Sequence, residues 1–296
     1  MPTRNYAVIQ APSNLGLRPT GVERLAETLL SHGLAEKLGA RPAGRVEAPA
    51  FSHERKDKSL PLNAAAIAQY AVKLADATEG VLGKREFPVI LGGDCSILLG
   101  PMLALKRRGR YGLLFIDAHT DFYPPEIDPT GEAASMELAF ATGRGPAVVA
   151  DIEGQGPLVR DEDAFVFGFR DGEEQMRHGS PPLPSALYAF DLAEMRSYGV
   201  EEATRQAVAH LARDGLDGFF IHFDADSLAD AIMPAVEYRL PDGLSRQEAR
   251  TVLGAVLASG KAVGIEVTIY NPSLDADGSA GRGLADLLVQ AFKDAL

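Results

Sequence analysis

Carboxylates and histidines gather at a few places in this chain. Ile116-Asp117-Ala118-His119-Thr120-Asp121 sets three possible metal ligands at alternate positions. In extended backbone, residues i, i+2 and i+4 face one way, so Asp117, His119 and Asp121 could share one side. His222-Phe223-Asp224-Ala225-Asp226, followed by Asp230, repeats the alternation. Leu91-Gly92-Gly93-Asp94-Cys95-Ser96 ends an apolar run, and its glycines permit a tight turn that presents Asp94 and Cys95. One such cluster alone reads equally as a helix cap or a turn. Two alternating acid clusters at the ends of different strands say more. Asp117, Asp121, Asp224 and Asp226, brought together without a cation, would repel one another and in part protonate. Divalent metal resolves that conflict. Carboxylates plus an imidazole suit hard or borderline ions such as Mn²⁺. Shared carboxylates suit two ions about 3.5–4 Å apart, the spacing that activates a bridging water.

Such clusters need strands to carry them. Apolar runs at Tyr6–Gln10, Arg45–Ala48, Phe87–Leu91, Gly112–Asp117, Ala164–Phe169, Ala186–Phe190, Gly218–Asp224 and Ala262–Val267 read as strands. Several are continuous rather than alternating, as suits strands buried on both faces of a parallel sheet. Helical stretches lie between them: Leu62 to Val81, Ser96–Arg108, Glu201–Arg213 and Leu284–Leu296. Capping-box patterns at Thr20-Gly21-Val22-Glu23 and Ser245-Arg246-Gln247-Glu248 open two more. Repeated β-α alternation predicts an α/β fold with a parallel sheet covered on both faces. No composition shift divides the chain, so residues 1–296 are expected to form a single domain. Long loop-rich stretches at 122–157, 171–185 and 229–244 are expected to be functional or mobile.

Composition narrows the function classes. With 29 Lys and Arg against 41 Asp and Glu, the net charge is −12. That argues against nucleic acid as the main partner, because phosphate binding needs clustered positive charge. One cysteine excludes an intramolecular disulfide. No apolar run approaches the roughly 20 residues of a membrane span. Met1 to Gln10 has no basic region followed by an apolar segment, so a cytoplasmic protein is expected.

The motifs resemble those of the ureohydrolase (arginase/agmatinase) family. Asp117-Ala118-His119-Thr120-Asp121 matches the family's Asp-Ala-His-x-Asp motif. Gly92-Gly93-Asp94-Cys95-Ser96 is similar to Gly-Gly-Asp-His-Ser, and Asp224-Ala225-Asp226 with Asp230 to Asp-x-Asp-x-x-Asp-Pro. Met233-Pro234-Ala235, Asp242-Gly243-Leu244-Ser245 and Asn271-Pro272 resemble later family segments. The resemblance implies a three-layer α/β/α domain around a central parallel eight-stranded sheet. It implies two divalent ions, usually Mn²⁺. Cys95, Asp117, Asp121 and Asp224 would surround one, and Asp117, His119, Asp224 and Asp226 the other. A metal-bound hydroxide would attack a planar, amidine-like carbon, with Asp121 passing its proton to the leaving amine. A homo-oligomer, trimer or hexamer, is implied as well.

The departures from the pattern are as informative. Cys95 stands in a histidine ligand position. It is either a small buried residue or a thiolate ligand. As a thiolate it would favour Zn²⁺ or Fe²⁺ over Mn²⁺; a hydroxyarginine-hydrolysing branch of the family resembles this feature. Ala134, in Gly131-Glu132-Ala133-Ala134-Ser135-Met136, replaces a proton-shuttling histidine. His222 is a candidate substitute, the alternative being a histidine hydrogen-bonded at the strand end. Ile269 occupies the position of a guanidinium-binding Glu, while Glu266 stands where the family has a supporting Asp. An apolar Ile cannot offset a buried cation. A neutral amide or weakly basic amidine is therefore expected, unless Glu132 or Glu173 supplies the missing charge. Arg170, Asp171 and Glu173 are similar to a loop that positions the substrate's far end. Arg170-Asp171-Gly172-Glu173 reads otherwise as a solvated turn.

The expected function is hydrolysis of a linear C–N bond in a small amidine, guanidino compound or amide. The missing pocket residues make a non-catalytic binding or regulatory protein the alternative. A redox-sensitive hydrolase, its Cys95 oxidised beside metal, is a third reading.

Overall fold

A computed structural model describes residues 4–295. Met1 to Thr3, which begin the segment read for a leader, and Leu296, the expected end of the last helix, lie outside the described residues. Eight strands form one parallel sheet: β1 (Tyr6–Gln10), β2 (Arg41–Arg45), β3 (Phe87–Leu91), β4 (Tyr111–Ile116), β5 (Ala164–Phe169), β6 (Tyr188–Asp191), β7 (Gly218–Asp224) and β8 (Ala262–Thr268). Their order is β2-β1-β3-β8-β7-β4-β5-β6. The expected three-layer α/β/α architecture is present. No described helix is long and apolar enough to cross a membrane.

Alternation along each strand builds two cores. Tyr6 and Val8 of β1, Phe87, Val89 and Leu91 of β3, and Phe219, Ile221 and Phe223 of β7 face one side. Ala7 and Ile9 of β1, Ile90 of β3, Leu113 and Phe115 of β4, and Phe220 of β7 face the other. The second face is covered by α1 (Ala64–Leu82), α2 (Leu99–Lys106) and α3 (Glu137–Ala141). The first is covered by α4 (Val200–Leu211), α5 (Arg246–Ala258) and α6 (Ser279–Asp294), among others. Strands flanked by helices on both faces carry no polar side, so their runs are continuous rather than alternating.

Some local expectations are corrected. The second strand is Arg41–Arg45, not Arg45–Ala48. It is an exposed edge strand that pairs only with β1, Ala7 opposite Arg41. Apolarity was therefore the wrong signal for it, and its Pro42 is tolerated at a sheet edge. Ser245 and Glu248 form the expected capping box of α5. Thr20 does not cap: its hydroxyl turns to Glu237, and a 3-10 turn, Val22–Arg24, opens there behind Gly21. The stretch 122–157 is folded into short helices, Glu137–Ala141 and Ala147–Ala150 among them.

The glycines after β3 act through space rather than through φ. A Cβ on Gly93 would lie 1.8 Å from the Ser13 carbonyl oxygen. That close approach lets Asp94 accept the Ser13 hydroxyl at 2.8 Å and its own N–H reach the Ser13 carbonyl at 3.1 Å. Backbone cannot yield as a flexible side chain can. Gly93→Ala is expected to lower stability by about 3 kcal/mol, read as a lower urea midpoint with unchanged slope.

Candidate metal centre

Four neighbouring strands, β3, β8, β7 and β4, end at one crevice, the usual place for a ligand in an open α/β sheet. β3 delivers Cys95, β4 leads into Asp117–Asp121, β7 ends at Asp224, and β8 leads into Ile269. The Asp117–Asp121 segment lies beyond the strand, and Asp121 has φ 44°. A turn rather than strand alternation brings these side chains together, which corrects the expected mechanism.

The contacts are close. His119 Nδ1 lies 2.9 Å from Asp226 Oδ2 and 3.6 Å from Asp117 Oδ1. Cys95 Sγ lies 2.7 Å from Asp224 Oδ2 and 3.3 Å from Thr268 Oγ1. Backbone N–H groups orient the acids: His119 N–H donates to Asp117 at 2.7 Å, and Asp226 N–H to Asp224 at 2.7 Å. The Ala118 N–H donates to Asp226 at 3.2 Å, tying the β4 turn to the β7 turn.

Buried, crowded charge sets the electrostatics. Burial and neighbouring Glu137 and Asp117 push the Asp121 carboxyl well above its ordinary range. Burial, Asp226 and Asp117 do the same to Asp224. Burial and then Asp224 push the Cys95 thiol up. Asp117 moves the other way: burial opposes its charge, but hydrogen bonds from His119 and His222 prevail and hold it low. Burial opposes the charge of His119 too, yet Asp226 and Asp117 raise it well above the ordinary value. Acids driven toward protonation at a cavity floor are what divalent cations relieve.

The donors fit a metal. Asp117, His119 and Asp226 each place a ligand atom within 4.8 Å of the others. Cys95, Asp117, Glu137 and His222 do the same, all four buried. Glu137 was not foreseen. It stands at the first position of α3, fully buried against the Asp121 carboxyl, and accepts from no N–H donor among the described residues. One charged residue within the apolar run Met136 to Phe140 was the available signal.

His222 does not line the cavity, so of its two expected readings the hydrogen-bonded strand-end histidine is the one the geometry favours over the proton shuttle. It is fully buried, stacked on Phe115 at 4.4 Å between ring centres. Its Nδ1 meets Glu266 Oε1 at 2.7 Å and its Nε2 lies 3.4 Å from Asp117 Oδ2. Glu266 is buried behind it and does not line the cavity.

Above the floor is a cavity of about 580 Å³. Cys95, His119, Asp121, Asp224 and Asp226 form its base, and Leu17, Tyr123, Ala134, Leu240 and Ile269 are among its walls. Ile269 is a β-branched residue at φ 70°, its N–H bonded to the Gly93 carbonyl at 2.9 Å. Such a conformation costs about 1–3 kcal/mol.

The expected substrate residues divide. Glu132 lines the wall, but Arg18 donates to one oxygen at 2.8 Å and the Tyr238 hydroxyl to the other. Asp171 also faces the cavity and accepts from the Thr120 N–H at 3.1 Å and Gln175 at 2.8 Å. Arg170 is off the cavity, donating to the carbonyls of Asp226 at 3.0 Å and Pro241 at 3.1 Å. It braces the β7 turn instead of meeting substrate. Glu173 is exposed on the helix Gly172–Arg177, where Glu174, Gln175 and His178 face the cavity instead. Asp230 pairs with Arg239 outside the metal cluster. Glu237, which pattern reading passed over, lines the cavity beside Ile269. Asn271 Nδ2 donates to its Oε1 at 2.6 Å, and Oε2 is buried without a partner.

Known proteins share this architecture. A model described as the arginase family matches residues 22–292. An arginase of Staphylococcus aureus (strain COL) is 26% identical over 306 residues, covering 99% of both chains. The native structure of arginase from Bacillus caldovelox superimposes with TM-score 0.86 at 25% identity over 98% of each chain. A formimidoylglutamase of Bacillus subtilis shares the fold with TM-score 0.74 at 17% identity, over 99% of this chain and 87% of that one.

Proposed function

This chain belongs to the arginase family, and from that membership we propose that it is a two-metal hydrolase of a linear C–N bond in a small cationic amidine or guanidino compound. The observation that carries the reading is an acid- and histidine-lined floor beneath a cavity whose wall adds the carboxylates of Asp171, Glu174 and Glu237.

Asp117, His119, Asp121, Asp224 and Asp226 would hold two ions at the cavity floor. When bound, the pair supplies Lewis acidity and a water activated near neutral pH. Asp121 faces the cavity, where its carboxylate would hold the attacking water, take its proton and give it to the leaving amine. The apolar walls exclude bulk water, which strengthens each of these interactions. Mn²⁺ suits the oxygen-rich donor set.

Recognition of a cation does not need a carboxylate at position 269. Glu237 lines the same cavity; Asn271 orients its Oε1, and its Oε2 is buried with no partner among the described residues. An amidinium N–H donating to that oxygen forms a charge-assisted bond. Glu237→Gln is expected to raise KM for a cationic substrate by about 10–100-fold. Metal content should stay as in the wild type, and a neutral amide should be affected little.

The reading is tested by assaying Mn²⁺-loaded protein against linear guanidines, amidines and amides for release of ammonia or urea. Turnover of a cationic amidine that disappears in Asp121→Asn is expected. Metal-loaded protein that turns over none of them would support a non-catalytic binding protein instead.

A further inference from the structure

We propose that His222 and Glu137, rather than Cys95, complete the donor set of the second ion, so that this chain draws its imidazole from β7 instead of from the β3 turn. The proposal rests on the metal-dependent reading above and changes which residues carry it.

Three observations converge. Glu137 is a fully buried carboxyl that accepts from no N–H donor among the described residues and lies against the Asp121 carboxyl, within 4.8 Å of ligand atoms of Asp117, Cys95 and His222. A dry, unpaired carboxylate is costly, and a cation satisfies it. The second observation is the posture of His222. Its Nδ1 meets Glu266 at 2.7 Å and its Nε2 points to Asp117, so that Nε2, once its proton leaves, can give its lone pair to an ion there. Metal-bound histidines almost always give their other N–H to such a carboxylate. The Nε2 to Asp117 separation is 3.4 Å, longer than a good hydrogen bond. It is close to the roughly 3 Å expected between two ligands each about 2.1 Å from one ion. The third observation is that Cys95 is already engaged, with Asp224 at 2.7 Å and Thr268 at 3.3 Å.

The elements explain the arrangement. β4 and β7 are adjacent, with Phe115 opposite His222 and Ile116 opposite Phe223. The ring of His222 therefore stacks on Phe115, just before the residues that lead to Asp117. Glu266 pairs with His222 across the β7–β8 ladder. Glu137 arrives from the start of α3, where the Ala139 N–H donates to the Asp121 carbonyl at 3.3 Å. The site so formed has oxygen and nitrogen donors only, the preference of Mn²⁺ over softer ions.

Calorimetric titration of metal-stripped, full-length protein with Mn²⁺ tests the assignment. Wild type and Cys95→Ala are expected to bind two ions per chain. Glu137→Gln and His222→Asn should bind one ion as wild type does and the other at least about 10–100-fold more weakly. Cobalt-substituted wild type gives a readout that needs no variant. Its spectrum is expected to lack the intense sulfur-to-cobalt charge-transfer band of thiolate ligation. Two full-affinity ions in both Glu137→Gln and His222→Asn, loss of an ion in Cys95→Ala, or an intense sulfur band would each overturn the proposal while leaving the hydrolase reading intact. A wild type that binds no Mn²⁺ would overturn both.

Discussion

Asp224→Asn is expected to cut turnover by about 10³-fold or more and to leave less than two Mn²⁺ per chain. The side chain sits where β7 ends, accepting from the Asp226 N–H at 2.7 Å and contacting Cys95 at 2.7 Å. Asparagine keeps the oxygen that caps the following turn, so the local fold should persist. It removes a negative charge shared between the two proposed ions. The metal-free variant is expected to be more stable than metal-free wild type, because that charge is buried against Asp226 and Asp117. Removing one of several crowded, dehydrated carboxylates relieves repulsion that a cation, or a proton taken up at a cost, otherwise relieves. Metal analysis, amidine hydrolysis and thermal melts of the stripped proteins check the three expectations together. A metal-free Asp224→Asn that melts below wild type would refute the repulsion argument.

The second large effect is a stability that runs oppositely with pH in the metal-free and metal-loaded states. Burial opposes a charge on His222, but Asp117 and Glu266 raise it to about 10. His119 is raised well above its ordinary value by Asp226 and Asp117 against the same opposition. Asp121, Asp224 and Glu137 are raised as well, chiefly by burial. In each case the folded state holds protons that the unfolded state would release. That stability is fully present below the unfolded pKa values and is lost as pH rises through the folded ones. Asp117 is held low and contributes oppositely, present above the ordinary aspartate range and lost only in acid. The raised groups outnumber it. The metal-free protein should therefore lose on the order of 5 °C or more in Tm between about pH 6 and pH 9. Divalent metal takes the place of those protons, so binding releases them and strengthens as pH rises. With excess Mn²⁺ the same pH interval should raise Tm or leave it level. Scanning calorimetry at matched ionic strength, with and without metal, measures the difference. A metal-free Tm that climbs over this interval would show that the carboxylates are already ionised and paired.

Both expectations start from residues legible in the chain. Asp117, His119, Asp121, Asp224 and Asp226 were readable as one cluster of candidate metal ligands because each lies beside a strand terminus marked by a continuous apolar run. The strands β1, β3, β5 and β7 were readable to the residue for the same reason. A strand buried on both faces writes its boundaries in composition, since water is excluded along its whole length. The edge strand β2 is exposed and carries no such mark, so it was placed too late in the chain.

What only the tertiary structure decided lies in contacts between segments far apart in sequence. Glu137 and Glu237 sit in loop-rich stretches whose local pattern carries no address, and both are placed by what packs around them. Thr20 and Asn271 meet on Glu237, though 251 residues separate them. The orientation of His222 depends on Glu266 across one ladder and Asp117 across another. Arg170 turned from the cavity because the Asp226 and Pro241 carbonyls needed a donor. The chain by itself determined the strands, the acids at their tips and hence the family and its chemistry, because burial and period are local properties. Which carboxylate faces a metal, which faces a substrate and which is spent on an arginine follows from long-range packing and hydrogen-bond satisfaction, which no local window of sequence contains.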